Sequence, residues 1–192
     1  MRLLLIGAPG SGKGTQAGLL AQRFNIVHIS SGDLLRQHVR DETPLGQAAK
    51  SYIDRGDLVP DGLVMDMLRK PVTAAAAANG YVLDGFPRNV EQAQASYAVV
   101  QTLGVEVQTA IHLSVPREEL LRRLLARGRG AEDAQEVIEH RLDVYQEKTV
   151  PLLEYYARRE WMFMVDGSRS VQTVHEDIAA RIQKLTAFTA TT

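Results

Sequence analysis

The sequence predicts an α/β fold, a doubly wound parallel sheet of five strands with helices on both faces. Three observations carry this reading. Short apolar runs alternate with longer amphipathic stretches along the chain, the pattern that builds a parallel sheet covered on both sides. A glycine-rich loop, Gly7-Ala8-Pro9-Gly10-Ser11-Gly12-Lys13-Gly14-Thr15, joins the first apolar run to the first helical stretch. No internal repeat and no Gly/Ser linker interrupts the 192 residues, so one domain with a substantial core is expected.

The elements follow in order. Residues 2–6 read as a buried strand. Residues 13–24 read as a helix with Leu19, Leu20 and Phe24 on its apolar side, ended by Asn25. Ile26 to Ile29 is a second strand. Ser30 or Ser31 then caps a helix to about Arg40, because either hydroxyl can accept from orphan N–H groups. Thr43-Pro44-Leu45-Gly46 reads as a turn, and a helix from about Gln47 to Arg55 stops at Gly56. Leu58-Val59-Pro60 is extended, as a residue before proline prefers. Asp61 caps a helix towards Ala78, ended by Asn79-Gly80. Tyr81 to Leu83 is a third strand, closed by Asp84-Gly85-Phe86-Pro87-Arg88. A helix follows from Val90 to about Leu103, then a strand from Thr109 to Val115 and a helix from Arg117 to Arg127. The polar run Gly128 to Asp133 leads into a long helical stretch to about Lys148, and Pro151 opens another to about Glu160. Met162 to Val165 is the fifth strand, with Trp161, Phe163 and Val165 in its core and edge. Val171 to about Thr186 is the last helix, and Thr189 to Thr192 is expected to fray.

Composition narrows the function. Lys plus Arg number 22 and Asp plus Glu 23, a net charge of -1, so there is no basic excess for a general nucleic-acid binder. Any anion site has to be local. The chain has no cysteine, which excludes disulfides and Cys-ligated zinc and fits a reducing, cytoplasmic setting. No apolar stretch approaches membrane-spanning length, and Arg2 with Leu3 to Ile6 is too short for a signal segment. The five histidines, His28, His38, His112, His140 and His175, show no metal-ligand spacing.

The chemistry starts at Gly7 to Lys13, a complete G-x-x-x-x-G-K pattern between a strand and a helix. Glycines let successive N–H groups point inward at phosphate oxygens, the following helix adds its positive end, and Lys13 supplies a mobile charge. The fold is therefore of the phosphate-loop NTPase type. The hydroxyl expected directly after the lysine is replaced by Gly14 and comes one place later at Thr15. Asp84 ends a strand, where a phosphate-loop protein places a carboxylate that supports Mg²⁺ directly or through water. Arg123 and Arg127 share a helix face. Their forked guanidiniums match phosphate oxygens and keep their charge.

Together these stretches resemble the adenylate kinases, among the nucleoside monophosphate kinases. The matching stretches are Gly7–Gln16 (GAPGSGKGTQ), Ser30–Arg36 (SSGDLLR), Gly56–Pro60 (GDLVP), Leu83–Arg88 (LDGFPR) with Gln92, Arg123 to Arg129, and Arg141. Gly14 after the lysine is normal in this family. The resemblance implies transfer of a phosphoryl group from Mg·ATP to AMP, giving two ADP. It implies a core of 1–29, 60–126 and 136–192, an AMP-binding insertion at 30–59 and a lid at 127–135. Gly10, Ser11, Gly12, Lys13, Gly14 and Thr15 would cradle the ATP phosphates. Arg123 would stack on the ATP adenine, and Arg169 would lie near it. Ser31, Asp57, Leu58, Val59, Gly85, Phe86, Pro87 and Gln92 would form the AMP pocket, with Arg36 and Arg88 on its phosphate. Arg127, Arg129 and Arg141 would converge on the transferring group beside Lys13 and Arg88, and Asp33 and Asp84 would support Mg²⁺ from the outer shell.

Only 13 residues separate Arg127 from Arg141, which leaves room for a short lid without zinc. Gly128 and Gly130 suit a hinge or tight turn. Glu132-Asp133 stands where the family has Asp-Asp, and the spacing around Arg129 is one residue long. Ser31 and Gln92 favour adenine, while Asn89 resembles the pyrimidine-monophosphate kinases. A UMP/CMP kinase therefore stays open as an alternative, and a nucleotide-dependent switch is a further one. Nothing in the sequence requires more than a monomer.

Overall fold

The computed structural model describes residues 1–159 and 161–189, without the side chains of 161 and 186–189. Glu160, the Trp161 side chain and the tail at 190–192 lie outside the described residues. The sheet is parallel throughout and its strand order is β2-β3-β1-β4-β5. The strands are β1 (Arg2–Gly7), β2 (Val27–Ser30), β3 (Tyr81–Asp84), β4 (Thr109–Ser114) and β5 (Trp161–Asp166).

Strand β1 shows why the run is apolar at every position. Its side chains alternate between the two faces. Leu4 and Ile6 join one core with Tyr81, Leu83 and Ala110, while Leu3 and Leu5 join another with Val82, Ile111 and Leu113. Helix α1 (Lys13–Phe24) and helix α9 (Val171–Thr189) cover the second face through Leu20, Val174 and Ile178. Helices α4 (Asp61–Ala78), α5 (Val90–Thr102) and α8 (Pro151–Ala157) cover the first through Leu68, Ala93 and Leu152. A third cluster joins Ala8 of the loop to Leu120 and Leu124 of α6 (Arg117–Arg127) and to Ile138 and Leu142 of α7 (Gln135–Val144).

Helices α2 (Ser31–Arg40) and α3 (Pro44–Arg55) lie between β2 and α4 without a strand of their own. Ser30 is the cap of α2, its hydroxyl accepting from Asp33 N at 3.2 Å. Helix α3 starts three residues before the expected Gln47. The Thr43 hydroxyl accepts from Gly46 N at 3.1 Å and Pro44 takes the first helical position, where its missing N–H costs nothing. The expected turn is thus a cap. Asp61 is also corrected: it makes no capping bond at the head of α4. The long helical stretch expected to about Lys148 divides into α7 and a π-helical turn at Tyr145–Thr149, and the separate helix opened by Pro151, α8, ends at Ala157 rather than near Glu160.

All five strands end at one edge, at Gly7, Ser30, Asp84, Ser114 and Asp166. From β1 the chain runs to β2 and β3 on one side of it and then crosses to β4 and β5 on the other, so β1 borders the switch point at which open α/β sheets bind ligands.

Candidate active site

An open cleft lies over this edge. Gly7, Gly10, Gly12, Lys13, Gly14 and Thr15 line it, with Asp84, Arg88, Arg123, Arg127, Arg129 and Arg141. Lys13 Nζ donates to Gly7 O at 2.7 Å and Ala8 O at 2.9 Å. Burial draws its pKa down to about 8. Asp84 opposes this, while Arg88, Arg141 and Arg127 add to it. The same surroundings act on the arginines. Burial and then Arg88 and Arg127 bring Arg141 down to about 10, against the pull of Glu132 and Asp133. Arg88 is lowered first by burial, with Asp84 opposing, and Arg129 first by burial and then by Arg127. Several cations facing one another in a half-buried cleft form a local anion site on a chain whose net charge is near zero.

Arg127, Arg141 and Arg123 are each aimed by a specific partner. Asp133, whose side chain is 2 % exposed, accepts from Arg127 Nε at 2.9 Å and Nη2 at 2.5 Å. It also accepts from Arg129 N at 2.8 Å, which fixes the turn Gly130–Asp133 between α6 and α7. Burial opposes the charge of Asp133, but the hydrogen bonds from Arg127 and Arg129 and the charges of Arg127 and Arg141 hold its pKa below the ordinary value. Arg141 Nη1 donates to Glu132 O at 3.0 Å. Arg123 Nε donates to Glu119 at 2.7 Å and Nη2 to Gly167 O at 3.0 Å. Arg129 is exposed.

Next to the cleft is a smaller pocket. Ser31, Arg36, Asp57, Leu58, Val59, Gly85, Phe86, Arg88, Gln92 and Arg141 line it. Gly85 is required where the two meet. Its φ is +83°, and an added Cβ would stand 2.7 Å from Ser31 Oγ and 3.3 Å from Arg88 Nη2. Arg88 Nε donates to Gly85 O at 2.7 Å, and Arg88 O accepts from Thr149 Oγ1 at 2.7 Å. Pro87 lines the larger cleft. Apolar Leu35, Ile53, Val59 and Val64 form the pocket's walls, a combination suited to a flat base with a charged group at one end.

The structure thus brings together most of the expected residues. Arg169 is different: its Nη2 donates to Asp177 at 2.7 Å and its Nε to Asp166 O at 3.1 Å, and it is not among the cleft-lining residues. Asp33 lines the cleft but pairs with Arg36 at 2.6 Å. Asp84 faces the loop, since a Cβ at Gly14 would stand 3.6 Å from its Oδ2. Among the described residues no cluster of three His, Cys, Asp or Glu side chains could hold a metal. A single carboxylate near a phosphate loop fits Mg²⁺ bound mainly by substrate phosphates and water. Glu132 lines the pocket, Tyr145 and Thr149 line the cleft and Asp133 holds Arg127, roles that the sequence did not assign. Of these only the acidic pair Glu132-Asp133 carried any signal, through its place between the arginines.

The adenylate kinase family profile matches residues 5–161. The chain is 48% identical to an adenylate kinase of Mycobacteroides abscessus over 185 residues, covering 96% of this chain and 99% of that protein. It is 42% identical to an adenylate kinase of Trichodesmium erythraeum over 191 residues, covering 97% and 100%. An adenylate kinase of Rhodococcus erythropolis is 44% identical over 184 residues, covering 96% and 100%.

Proposed function

This chain belongs to the adenylate kinase family, an ATP:AMP phosphotransferase, and we propose that its two adjoining pockets hold ATP and AMP with their phosphates facing across Lys13 and the arginines. The larger cleft takes ATP, with Gly10 to Thr15 around its phosphates. The smaller pocket takes AMP, with Arg36 and Arg88 on the phosphate and Ser31, Asp57 to Val59, Gly85 to Pro87 and Gln92 around the nucleoside. Arg88 and Arg141 line both spaces, and this shared lining is the observation that carries the reading.

The chemistry needs charge and position rather than a base. A phosphate monoester has a second pKa near ~6, so the AMP phosphate is largely a dianion at neutral pH and attacks without losing a proton. Two anions then have to meet. Lys13, Arg88, Arg127, Arg129 and Arg141 offset that repulsion and hold the attacking oxygen in line with the γ-phosphorus. The P–O bond to the leaving β-phosphate breaks as the new P–O bond forms, so each nucleotide leaves as ADP. Mg²⁺ travelling with ATP supplies further charge neutralisation, and Asp84 would hold it through water, with Asp33 in a supporting place. Closure of 127–135 and of 30–59 over the core excludes water, which would otherwise accept the phosphoryl group. Arg123 lies along the ATP side. No described helix is long and apolar enough to cross a membrane. A cytoplasmic monomer is the setting that fits this small-molecule reaction.

ADP formation from Mg·ATP with AMP, UMP, CMP or no acceptor tests the pocket assignment in the intact chain and in Arg88→Ala. AMP is the expected acceptor. Arg88→Ala should raise the AMP KM and lower kcat, each by about tenfold or more, because the charge on the phosphate is lost in the ground state and lost more heavily in the transition state, where the transferring group also lies against it. Unchanged AMP kinetics in Arg88→Ala would place the acceptor elsewhere.

A further inference from the structure

Asp61 stands at the first position of α4 and makes no capping bond. Its carboxylate instead reaches across to α5, where Asp61 Oδ1 accepts from Gln92 Nε2 at 2.7 Å. Gln92 is 2 % exposed and lines the smaller pocket, whereas Asp61 is not among the lining residues. The other end of the same amide is also occupied: Gln92 Oε1 accepts from Arg88 N at 2.7 Å.

These two partners have opposite and fixed polarity. A backbone N–H can only donate, and an ionised carboxylate can only accept. Turning the Gln92 amide over would set its oxygen against the carboxylate and its NH₂ against the Arg88 N–H. In a buried site both contacts would be repulsive and two polar groups would lose their partners. The Arg88 peptide cannot swing away to relieve this, because Arg88 O accepts from Thr149 Oγ1 at 2.7 Å and the Arg88 side chain is bonded to Gly85 O. The Gln92 backbone is held as well, its N–H donating to Asn89 Oδ1 at 2.6 Å.

We propose that Asp61 is a specificity-determining residue that fixes which way round the Gln92 amide sits and so selects the acceptor's base. The proposal rests on the reading above, in which Gln92 meets that base. After its two fixed bonds the amide keeps one N–H and one oxygen lone pair. Adenine offers a matching edge, with N1 accepting and the 6-amino group donating. A hypoxanthine or guanine base offers the reverse, with N1–H donating and O6 accepting. A glutamine free to flip serves both patterns, and one clamped between Asp61 and Arg88 N–H serves only the first. Asp61 acts through Gln92 and is a positioning residue.

The test is steady-state kinetics of the full chain at saturating Mg·ATP, with AMP and with inosine 5′-monophosphate as acceptors. Asp61→Asn retains size, but its own amide can present either a donor or an acceptor, so a flip of Gln92 then opposes only the Arg88 N–H and costs one contact instead of two. The ratio of kcat/KM for AMP over inosine monophosphate should fall by about tenfold or more, mostly through the acceptor KM, with the ATP KM unchanged. A folded Asp61→Asn enzyme with the parental ratio would overturn the proposal. Gln92→Leu separates the two layers: if it too leaves the ratio unchanged, the base does not lie at Gln92 and the pocket reading itself fails. A measurement on the unmutated chain guards against a variant that does not fold. With AMP bound, the Gln92 side-chain NH₂ should be protected from exchange with solvent in ¹⁵N-resolved spectra, and exchange at the rate of an exposed glutamine would overturn the clamp.

Discussion

Lys13 donates to two carbonyls, Gly7 O and Ala8 O, and still holds its proton weakly. Burial draws its pKa from 10.5 to about 8, against Asp84 and with Arg88, Arg141 and Arg127 adding to the fall. Between these two values the unfolded chain binds more protons at this site than the folded one. This group's contribution to stability therefore rises with pH across that window and is unfavourable at neutral pH, where the ammonium is charged in both states. Nucleotide phosphates supply the missing counter-charge and should raise the pKa again. ATP binding at about pH 8.5 should therefore take up a fraction of a proton. Titration calorimetry in two buffers of different ionisation enthalpy would report it as a difference in apparent enthalpy, and Lys13→Met should abolish that difference. Equal enthalpies in the two buffers for the parent chain would mean that Lys13 does not meet the phosphates.

At the scale of elements, the pair α2 and α3 depends on Gly46. Gly46 is buried, and a Cβ there would stand 2.0 Å from His38 O and 2.3 Å from His38 C. His38 O cannot retreat cheaply, because it accepts from Thr43 N at 3.1 Å and from Thr43 Oγ1 at 3.3 Å. Gly46→Ala should therefore cost about 1–3 kcal/mol through overpacking. It should weaken AMP binding more than ATP binding, since α2 and α3 carry Arg36 and Ile53 of the smaller pocket while the phosphate loop lies elsewhere. A lowered Tm together with separate AMP and ATP titrations would check this, and unchanged AMP affinity would sink it. This same segment shows what sequence can and cannot convey. Strands β1 and β3 were legible because burial on both faces makes them continuously apolar, and the glycine loop because its spacing is local. Thr43-Pro44 read as a turn because turns and helix starts share residues, and only the bond from Gly46 N distinguishes them. Asp61 read as a cap for the same reason: the carboxylate's real partner, Gln92, is 31 positions away. The pairing of Asp133 with Arg127 was hidden because no spacing rule says which charge an irregular turn will face.

For the whole molecule, the question is what holds the insertion and the lid turn near each other. Among the described residues an ion pair crosses between them, and a second contact ties the insertion to α7 beside the lid. Glu132 Oε2 lies 3.5 Å from Arg36 Nη1 on α2 and 3.7 Å from Arg141 Nη1 on α7. Asp57 Oδ1 meets His140 Nε2 on α7 at 2.8 Å. The Asp57 pKa is lowered by His140 first and then by Arg55. This stabilisation is present above the ordinary carboxylate range and lost as pH falls through the lowered value. The His140–Asp57 pair is exposed, is worth at most about 1 kcal/mol and is screened by salt, while Glu132 is half-buried but stands 3.5 Å and 3.7 Å from its arginines, beyond close hydrogen-bonded pairing. If 127–135 and 30–59 close over the nucleotides as proposed, these contacts form a weak latch that thermal motion can open. Glu132 also places an anion on Arg36, where the acceptor phosphate is proposed to bind, so substrate has to displace it. Dyes on exposed Gln47 and Ala131 would read the separation of the two parts by energy transfer. Glu132→Gln should shift the distribution towards wider separations. The parent should move the same way between about 0.05 and about 0.5 M salt, and the variant much less. Identical distributions in parent and variant at low salt would show that packing rather than this charge sets the distance between lid and insertion.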